Sequence, residues 1–163
     1  MKEHYAVIYH TDYDWFSFLR RTINGKEPDL EVNFWTGRDI DLKLNKGMYF
    51  FFKLKNQTIG GYGLFVEIKK ESIESAWNEY GIHNGVASFE EFLAKTSKVL
   101  NARSPKHVVL NSNVNISCYI LRDLHFFSEP ISLNEVGITH FQVVRYIDEL
   151  TATKILKFAN LST

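Results

Sequence analysis

Two β-forming runs joined by a short polar turn constrain the fold of this chain more than any other feature. The first run, MYFFFKLK at 48–55, holds four consecutive aromatic residues, and the second, IGGYGLFVEIKK, returns at 59–70. Aromatic and β-branched residues favour strands, and the NQT segment between the runs is typical of a hairpin turn. The glycines of IGGYG indicate a bulge or a close approach of two backbones. We therefore expect an antiparallel hairpin at the centre of the fold.

Helical signals lie on both sides of this hairpin. Thr11 or Asp12 can cap a helix that follows a first strand at 4–10, and Gly81 can end a helix that begins near residue 71. Ser88, with Glu91 three residues later, has the spacing of a capping box. Strands and helices do not alternate regularly, which argues against a doubly wound sheet. The predicted fold class is α+β, a small β-barrel with peripheral helices.

The last third of the chain continues the strand-rich pattern. VNISCYILRDLHFF at 114–127 predicts a strand, EPISLNEVGI at 129–138 a loop, THFQVVRYI at 139–147 a closing strand, and 148–161 a terminal helix. Cys118 lies inside the apolar strand, so we expect a buried structural thiol.

Charge and motif content narrow the classes of function. The 19 Lys and Arg residues balance 19 Asp and Glu residues, so any basic surface is expected to be local. The single cysteine excludes an internal disulfide and a cysteine-cluster zinc site. Neither a signal peptide nor a membrane-spanning run is expected, which predicts a cytoplasmic protein with no membrane partner. No phosphate-loop, dinucleotide-binding or metal-site signature is present, so no cofactor and no metal site are expected.

One short segment, EVNFW at 31–35, raises the question of a ligand pocket. It predicts a strand that ends on Trp35 beside a glycine turn, with Asn33 two residues earlier. Trp15 follows the first strand, and Tyr62 lies between glycines. An aromatic pocket with a few polar groups suits a flipped nucleobase, because stacking holds the ring and polar side chains read its edge. Core packing of the same aromatics is the alternative interpretation.

A nuclease is a further hypothesis. Pro28 and Asp29 lie well upstream of Glu67 and Lys69, and this order mimics the PD…ExK pattern of metal-dependent nucleases. That chemistry requires carboxylates that converge on Mg²⁺ beside a lysine. The VEIK segment alternates as an ordinary strand with its charges towards solvent, which argues against catalysis.

A set of short motifs gives the chain a family resemblance. TDYDWFSFL, EVNFW, GMYFFFKL, IGGYGLF, SAWNEYGIHNG and SFEEF, in this order over roughly residues 5–127, resemble the N-terminal domain of HNH-type restriction endonucleases. That domain belongs to the PUA-like superfamily with the EVE, YTH, ASCH and SRA domains. The resemblance implies a small β-barrel that recognises a modified base in DNA, by an aromatic cage or by base flipping, in a modification-dependent restriction system.

The resemblance also implies site residues. Trp35 matches the tryptophan that lines the pocket of EVE-like domains, Asp12 and Trp15 match the DWF segment of the family, and Tyr62 matches a position on the paired central strands. We expect Trp15 and Trp35 to sandwich the base, with its edge read by Asn33, Asp12 and the Tyr62 backbone. Contacts to the DNA backbone are expected from five cations around the pocket strands: Arg38, Lys43, Lys46, Lys53 and Lys55. A solvated strand face is the alternative for these cations.

The resemblance finally implies partners. Residues 1–163 are expected to form one recognition domain, as a stand-alone protein or as the N-terminal part of a longer restriction protein. The expected ligand is modified double-stranded DNA. Cleavage is expected from a separate C-terminal HNH nuclease or GTPase restriction domain rather than from this chain, which is not expected to be an enzyme. A YTH-like binder of methylated single-stranded RNA and a protein-interaction domain without a ligand remain alternatives.

Overall fold

The computed structural model describes residues 5–23, 27, 29–38, 41–103 and 113–161. Within them the chain forms six strands, four α-helices and two short 3-10 helices. The strands are β1 Ala6–His10, β2 Val32–Thr36, β3 Tyr49–Leu54, β4 Thr58–Ser72, β5 Asn115–Ser132 and β6 Val144–Ile147. The α-helices are α1 Tyr13–Ile23, α2 Ile73–Tyr80, α3 Phe89–Arg103 and α4 Glu149–Leu161, and the 3-10 helices are Gly81–Asn84 and Leu133–Val136.

All six strands belong to one mixed sheet in the order β2-β5-β4-β3-β1-β6. The predicted β3–β4 hairpin is antiparallel and lies inside the sheet, whereas β1 pairs with β3 in parallel, from Ala6 opposite Tyr49 to His10 opposite Lys53. The register of β4 on β5 shifts next to Gly61 and beyond Tyr62, so the predicted bulge is confirmed. Strands β1 and β3 are apolar without alternation because both of their faces are buried.

The sheet curls strongly enough to bring distant strands together. Three strands separate β2 from β1 in the sheet, yet the ring of Phe34 on β2 lies 5.1 Å from Tyr9 on β1 and 4.8 Å from Phe50 on β3. These inward-facing rings pack against Phe16 and Leu19 of α1 in one core cluster. The curled sheet and its peripheral helices confirm the predicted α+β barrel class.

The helices begin where side-chain oxygens meet free backbone N–H groups. Asp12 Oδ2 accepts from the Trp15 N–H at 3.2 Å at the start of α1, and Ser88 Oγ accepts from the Glu91 N–H at 3.2 Å at the start of α3. Both predicted caps are therefore confirmed, and Gly81 ends α2 as expected. Helix α4 packs Ile155 against the outer face of the sheet. No helix in the described ranges is long and apolar enough to cross a membrane.

One predicted loop is wrong. The segment 129–138 continues β5 as far as Ser132 and then forms a 3-10 helix, because Ile131 is buried opposite Ile59 of β4. Pro130 lies beside a bulge in the pairing of β4 with β5, where its missing N–H is tolerated. The closing strand is shorter than predicted and spans only Val144–Ile147.

Candidate functional site

A cleft of about 680 Å³ lies at the end of β1. Its walls come from the ends of β1 and β2, the start of α1, the middle of α3 and the segment before β6. We call it the aromatic cleft, and its aromatic lining comprises Tyr9, Trp15, Phe34 and Trp35. Four of the predicted site residues meet here: Asp12, Trp15, Trp35 and Arg38.

Trp35 supplies a partly exposed ring in a fixed orientation. Its indole Nε1 donates to the backbone oxygen of Asn84 at 3.0 Å, and its ring packs edge-on against Phe92 of α3 at 5.5 Å between centroids. Because one edge is bonded and the other is packed, the ring has little rotational freedom. It can therefore offer a flat apolar surface to a ligand in the aromatic cleft.

Trp15 lies at the floor of the aromatic cleft rather than in a wall. Only 5% of its surface is exposed, and its ring makes edge contacts with Phe34 at 5.1 Å and Phe52 at 5.4 Å. Its Nε1 donates to the backbone oxygen of Asn33 at 3.0 Å. A ligand can touch Trp15 at the cleft floor, but the ring of Trp15 is largely covered by the core.

Asn33 is fully buried and does not line the aromatic cleft. Its Nδ2 donates to Asn84 Oδ1 at 2.9 Å and to Cys118 Sγ at 3.3 Å. Asn33 was predicted to read a base edge, but in the structure its side chain is enclosed by the core. Asn84 was not among the site residues predicted from the sequence. The two asparagines join β2 to the 3-10 helix and thereby support both tryptophans. Cys118 is buried, as expected, and desolvation raises the pKa of its thiol to about 11.

Tyr62 lies in a different place from the two tryptophans. Its ring stacks on His125 at 5.0 Å and lines a separate cavity of about 200 Å³. Register explains the separation: Tyr62 pairs with Phe51, and both side chains pack on the outer side of the sheet, whereas Phe50 and Phe52 point inwards. Burial, aided by the nearby Tyr49 and Asp123, raises the pKa of the Tyr62 phenol.

The predicted DNA-backbone cations divide into three groups. Arg38 lines the aromatic cleft. Lys43 is exposed and paired with Asp41 at 3.2 Å, and Lys46 and Lys55 are exposed in turns away from the cleft lining. Lys53 is only 3% exposed, and its ammonium donates to the backbone oxygen of Phe141 at 2.7 Å and that of Gln142 at 3.3 Å.

Lys53 thus holds the segment before β6 against the sheet and is not free to bind phosphate. Its ammonium also lies 4.9 Å from the centroid of the Phe141 ring. Desolvation lowers the pKa of this lysine. The attached segment supplies Gln142 and Val143 to the wall of the aromatic cleft.

Two lysines of α3 were not predicted, although they line the aromatic cleft. Lys95 forms ion pairs with Asp14 Oδ2 at 3.4 Å and Asp12 Oδ2 at 3.9 Å, and Lys98 is exposed one helical turn later. Their spacing of three residues, which places both on one helix face, is the sequence signal that could have identified them.

His10 adds a neutral polar group to the aromatic cleft. Burial lowers the pKa of its imidazole, and the charges of Lys53 and Arg38 lower it further, while Asp12 acts in the opposite direction. Because the ordinary pKa of histidine is about 6.5, the lowered value leaves the ring uncharged at pH 7. The imidazole can therefore both donate and accept a hydrogen bond.

The residues of the nuclease hypothesis have other contacts. Lys69 Nζ donates to both carboxylate oxygens of Glu79, at 2.9 and 3.0 Å, and lies 3.6 Å from Glu71. Glu67 is exposed on β4, and Pro28 lies outside the described residues. Among the residues that the structure describes, no group of three or more His, Cys, Asp or Glu side chains is arranged to hold a metal ion.

Solved structures with the same architecture were found by comparison. ASCH from Zymomonas mobilis aligns with a TM-score of 0.59 at 11% identity, over 94% of each chain, and a mutant form of that protein aligns with a TM-score of 0.60 at 12% identity, over 96% of this chain and 97% of that one. This is the fold of ASCH domains. ASCH domains are PUA-like, which agrees with the superfamily that the sequence resembles. The N-terminal domain of Staphylothermus marinus McrB aligns with a TM-score of 0.52 at 10% identity, over 94% of each chain. No protein-family model and no curated protein matches the sequence.

The floor of the aromatic cleft depends on a glycine. Gly85 has a φ of +83°, and an added Cβ would overlap Cδ1 of Trp15 and lie 2.7 Å from its Cγ. Gly137 is the matched control, because its φ of +73° and ψ of 24° resemble those of Gly85 and no atom lies within 4 Å of its hypothetical Cβ. Both alanine variants carry the backbone cost of about 1 kcal/mol.

We expect Gly85→Ala to lose about 1–3 kcal/mol more of the free energy of unfolding than Gly137→Ala, because its side chain also displaces the indole. Urea denaturation followed by tryptophan fluorescence measures both values. Equal losses in the two variants would show that Trp15 does not pack on Gly85 in solution.

Proposed function

We propose that this chain is a DNA-binding module that takes a flipped, modified base into the aromatic cleft. The observation that carries the proposal is the fixed, partly exposed ring of Trp35 on a cleft of about 680 Å³. That volume lies within the range of about 300–1,000 Å³ that is usual for small-molecule sites. The site combines a flat apolar surface with several polar groups, as base recognition requires.

In this mechanism Trp35 is the stacking surface and Trp15 the floor. Flipping a base costs roughly a few kcal/mol of unstacking, and stacking on an aromatic side chain returns about 1–3 kcal/mol. The remainder must come from hydrogen bonds to the base edge and contacts with phosphates. The neutral imidazole of His10, the carboxylate of Asp12 and the side chain of Gln142 line the cleft and are the groups we assign to the base edge.

The fold supports a role in restriction. The N-terminal domain of McrB shares this architecture, and the sequence motifs resemble the recognition domain of restriction endonucleases. We propose that the chain recognises the modification and that a separate HNH nuclease or GTP-driven motor, in the same protein or in a partner, carries out restriction. The chain itself then needs no catalytic residue.

Loss of the Trp35 ring is the direct test. In Trp35→Leu the side chain remains apolar but has no aromatic face, and we expect modified-base binding to weaken by about 1–3 kcal/mol, which is roughly 5- to 150-fold. Trp35→Phe retains a stacking ring and should keep most of the affinity. Trp77→Leu is the control, because Trp77 packs on Phe89 and Phe92 and does not line the cleft.

The measurement is fluorescence anisotropy with a matched panel of short duplexes, unmodified or carrying methylcytosine, hydroxymethylcytosine, a glucosylated base or methyladenine. Methylated single-stranded RNA forms a further arm. Selective binding of one modified duplex that is lost in Trp35→Leu and kept in Trp77→Leu supports the proposal. Preference for the RNA would favour a YTH-like function, and equal binding of all duplexes would reduce the chain to a backbone binder.

A further inference from the structure

The charged side chains that line the aromatic cleft differ in whether they form ion pairs. The two carboxylates of its rim, Asp12 and Asp14, share the ammonium of Lys95 at 3.9 and 3.4 Å. Within the part of the chain that the structure describes, the side chains of Arg38 and Lys98 have no ion pair and no hydrogen bond. These two cations therefore carry the net positive charge of the cleft lining.

Arg38 and Lys98 line the aromatic cleft from different elements. Arg38 follows the end of β2, and Lys98 lies on α3. Trp35 lies three residues before Arg38, at the end of β2. Its ring packs against Phe92 of α3, the helix that also carries Lys98. A nucleotide stacked on Trp35 would thus share the cleft with both cations.

We propose that Arg38 and Lys98 bind the phosphates that flank the nucleotide held in the aromatic cleft. The inference rests on the proposed function and replaces most of the cation set expected from sequence. Arginine and lysine contacts to phosphate displace condensed counterions, so each contact contributes a salt-dependent part of the affinity that is independent of base identity.

Lys46 provides the matched control. It is an exposed lysine in the turn before β3, and β3 begins with Tyr49 opposite Ala6, the first residue of β1. The aromatic cleft lies at the other end of β1, where His10 pairs with Lys53. Lys46 was one of the cations predicted from sequence to contact the DNA backbone. The effect of its substitution therefore distinguishes the cation set expected from sequence from the pair Arg38 and Lys98.

The test compares Arg38→Gln, Lys98→Gln and Lys46→Gln with the wild-type chain on two probes: the duplex of the panel that the wild-type chain binds most tightly and the unmodified duplex of the same sequence. Affinity is measured at several salt concentrations. Each lost phosphate contact on duplex DNA reduces the slope of log K against log salt concentration by about 0.9. We expect that reduction in the Arg38 and Lys98 variants on both duplexes, and the wild-type slope in the Lys46 variant.

Three results would overturn the inference. Wild-type slopes in the Arg38 and Lys98 variants would place the phosphates elsewhere, while leaving the Trp35 result and the proposed function untouched. A loss of affinity for the modified duplex with an unchanged salt slope would assign the two cations to the base edge. Absence of duplex binding by the wild-type chain would refute the proposed function together with the inference. Thermal melting of each variant shows whether its fold is intact.

Discussion

Replacement of Asn84 with alanine is expected to lower the free energy of unfolding by about 3–4 kcal/mol, because several buried polar groups would lose their partner at once. Asn84 is fully buried, and its Nδ2 donates to the backbone oxygens of Ala76 at 3.1 Å and Gly81 at 2.8 Å. Its Oδ1 accepts from Asn33 at 2.9 Å. Without this side chain, the end of α2 loses two of its bonds and β2 loses its link to the 3-10 helix.

Urea denaturation of Asn84→Ala measures this loss, and Asn78→Ala on the exposed face of α2 is the control, with an expected change within about 0.5 kcal/mol. Asn84→Ala should also bind DNA more weakly, because the lost side-chain bonds fix the position of the Asn84 backbone oxygen that accepts from the Trp35 indole. A loss of stability below about 1 kcal/mol would mean that water or a shift of α2 replaces the bonds.

Replacement of Gly61 with alanine is the second substitution with a large expected effect. An added Cβ would overlap the backbone oxygen of His125 and lie 3.1 Å from the Cα of Phe126, so the clash is with the backbone of the neighbouring strand. A backbone in the middle of a sheet moves only with its neighbours. We expect a loss of about 3 kcal/mol, the upper end for an overpacked site.

Gly63→Ala is the control on the same strand. Its added Cβ would meet side-chain atoms of Leu121 and Leu124 at 3.1–3.4 Å, and these can adjust. We expect a loss of about 1 kcal/mol or less in this variant. Equal denaturation midpoints for the two variants would show that β4 and β5 do not approach as closely as the structure indicates.

Features determined by neighbouring residues could be predicted from sequence. The caps at Asp12 and Ser88 each depend on a side chain three residues before the N–H that it bonds, and the helix end at Gly81 depends on the positive φ that glycine readily adopts. The β3–β4 hairpin depends on two strongly β-forming runs and a short turn between them. Such local signals also gave the α+β class, because strand and helix order limits the possible architectures.

The parts of the site that sequence could not provide depend on contacts between distant residues. Asn33 looked like a polar group at a pocket, but its side chain meets Asn84, 51 positions later. Lys53 was predicted to contact the DNA backbone, but its ammonium donates to the backbone oxygen of Phe141, 88 positions later.

Tyr62 was assigned to the site from its glycine neighbours. The register of β4 against β3 instead places its side chain on the outer side of the sheet, with Phe51. A one-residue change in register would turn its side chain to the opposite face. Lys95 and Lys98 of α3 were not among the predicted site residues. Their role depends on which helix face meets the aromatic cleft, and that follows from packing of Phe92 against Trp35.

Both indole N–H groups of the aromatic cleft donate to main-chain oxygens, Trp15 to Asn33 and Trp35 to Asn84. A main-chain oxygen is present whatever side chain a position carries, so the tryptophans do not rely on the chemical identity of their acceptors. The groups around them, by contrast, are side chains such as Thr36, Gln142 and Val143, which single substitutions can exchange. The two tryptophan rings therefore stay in place when the surrounding side chains change. Substitutions at those surrounding positions could give such a chain a new ligand preference.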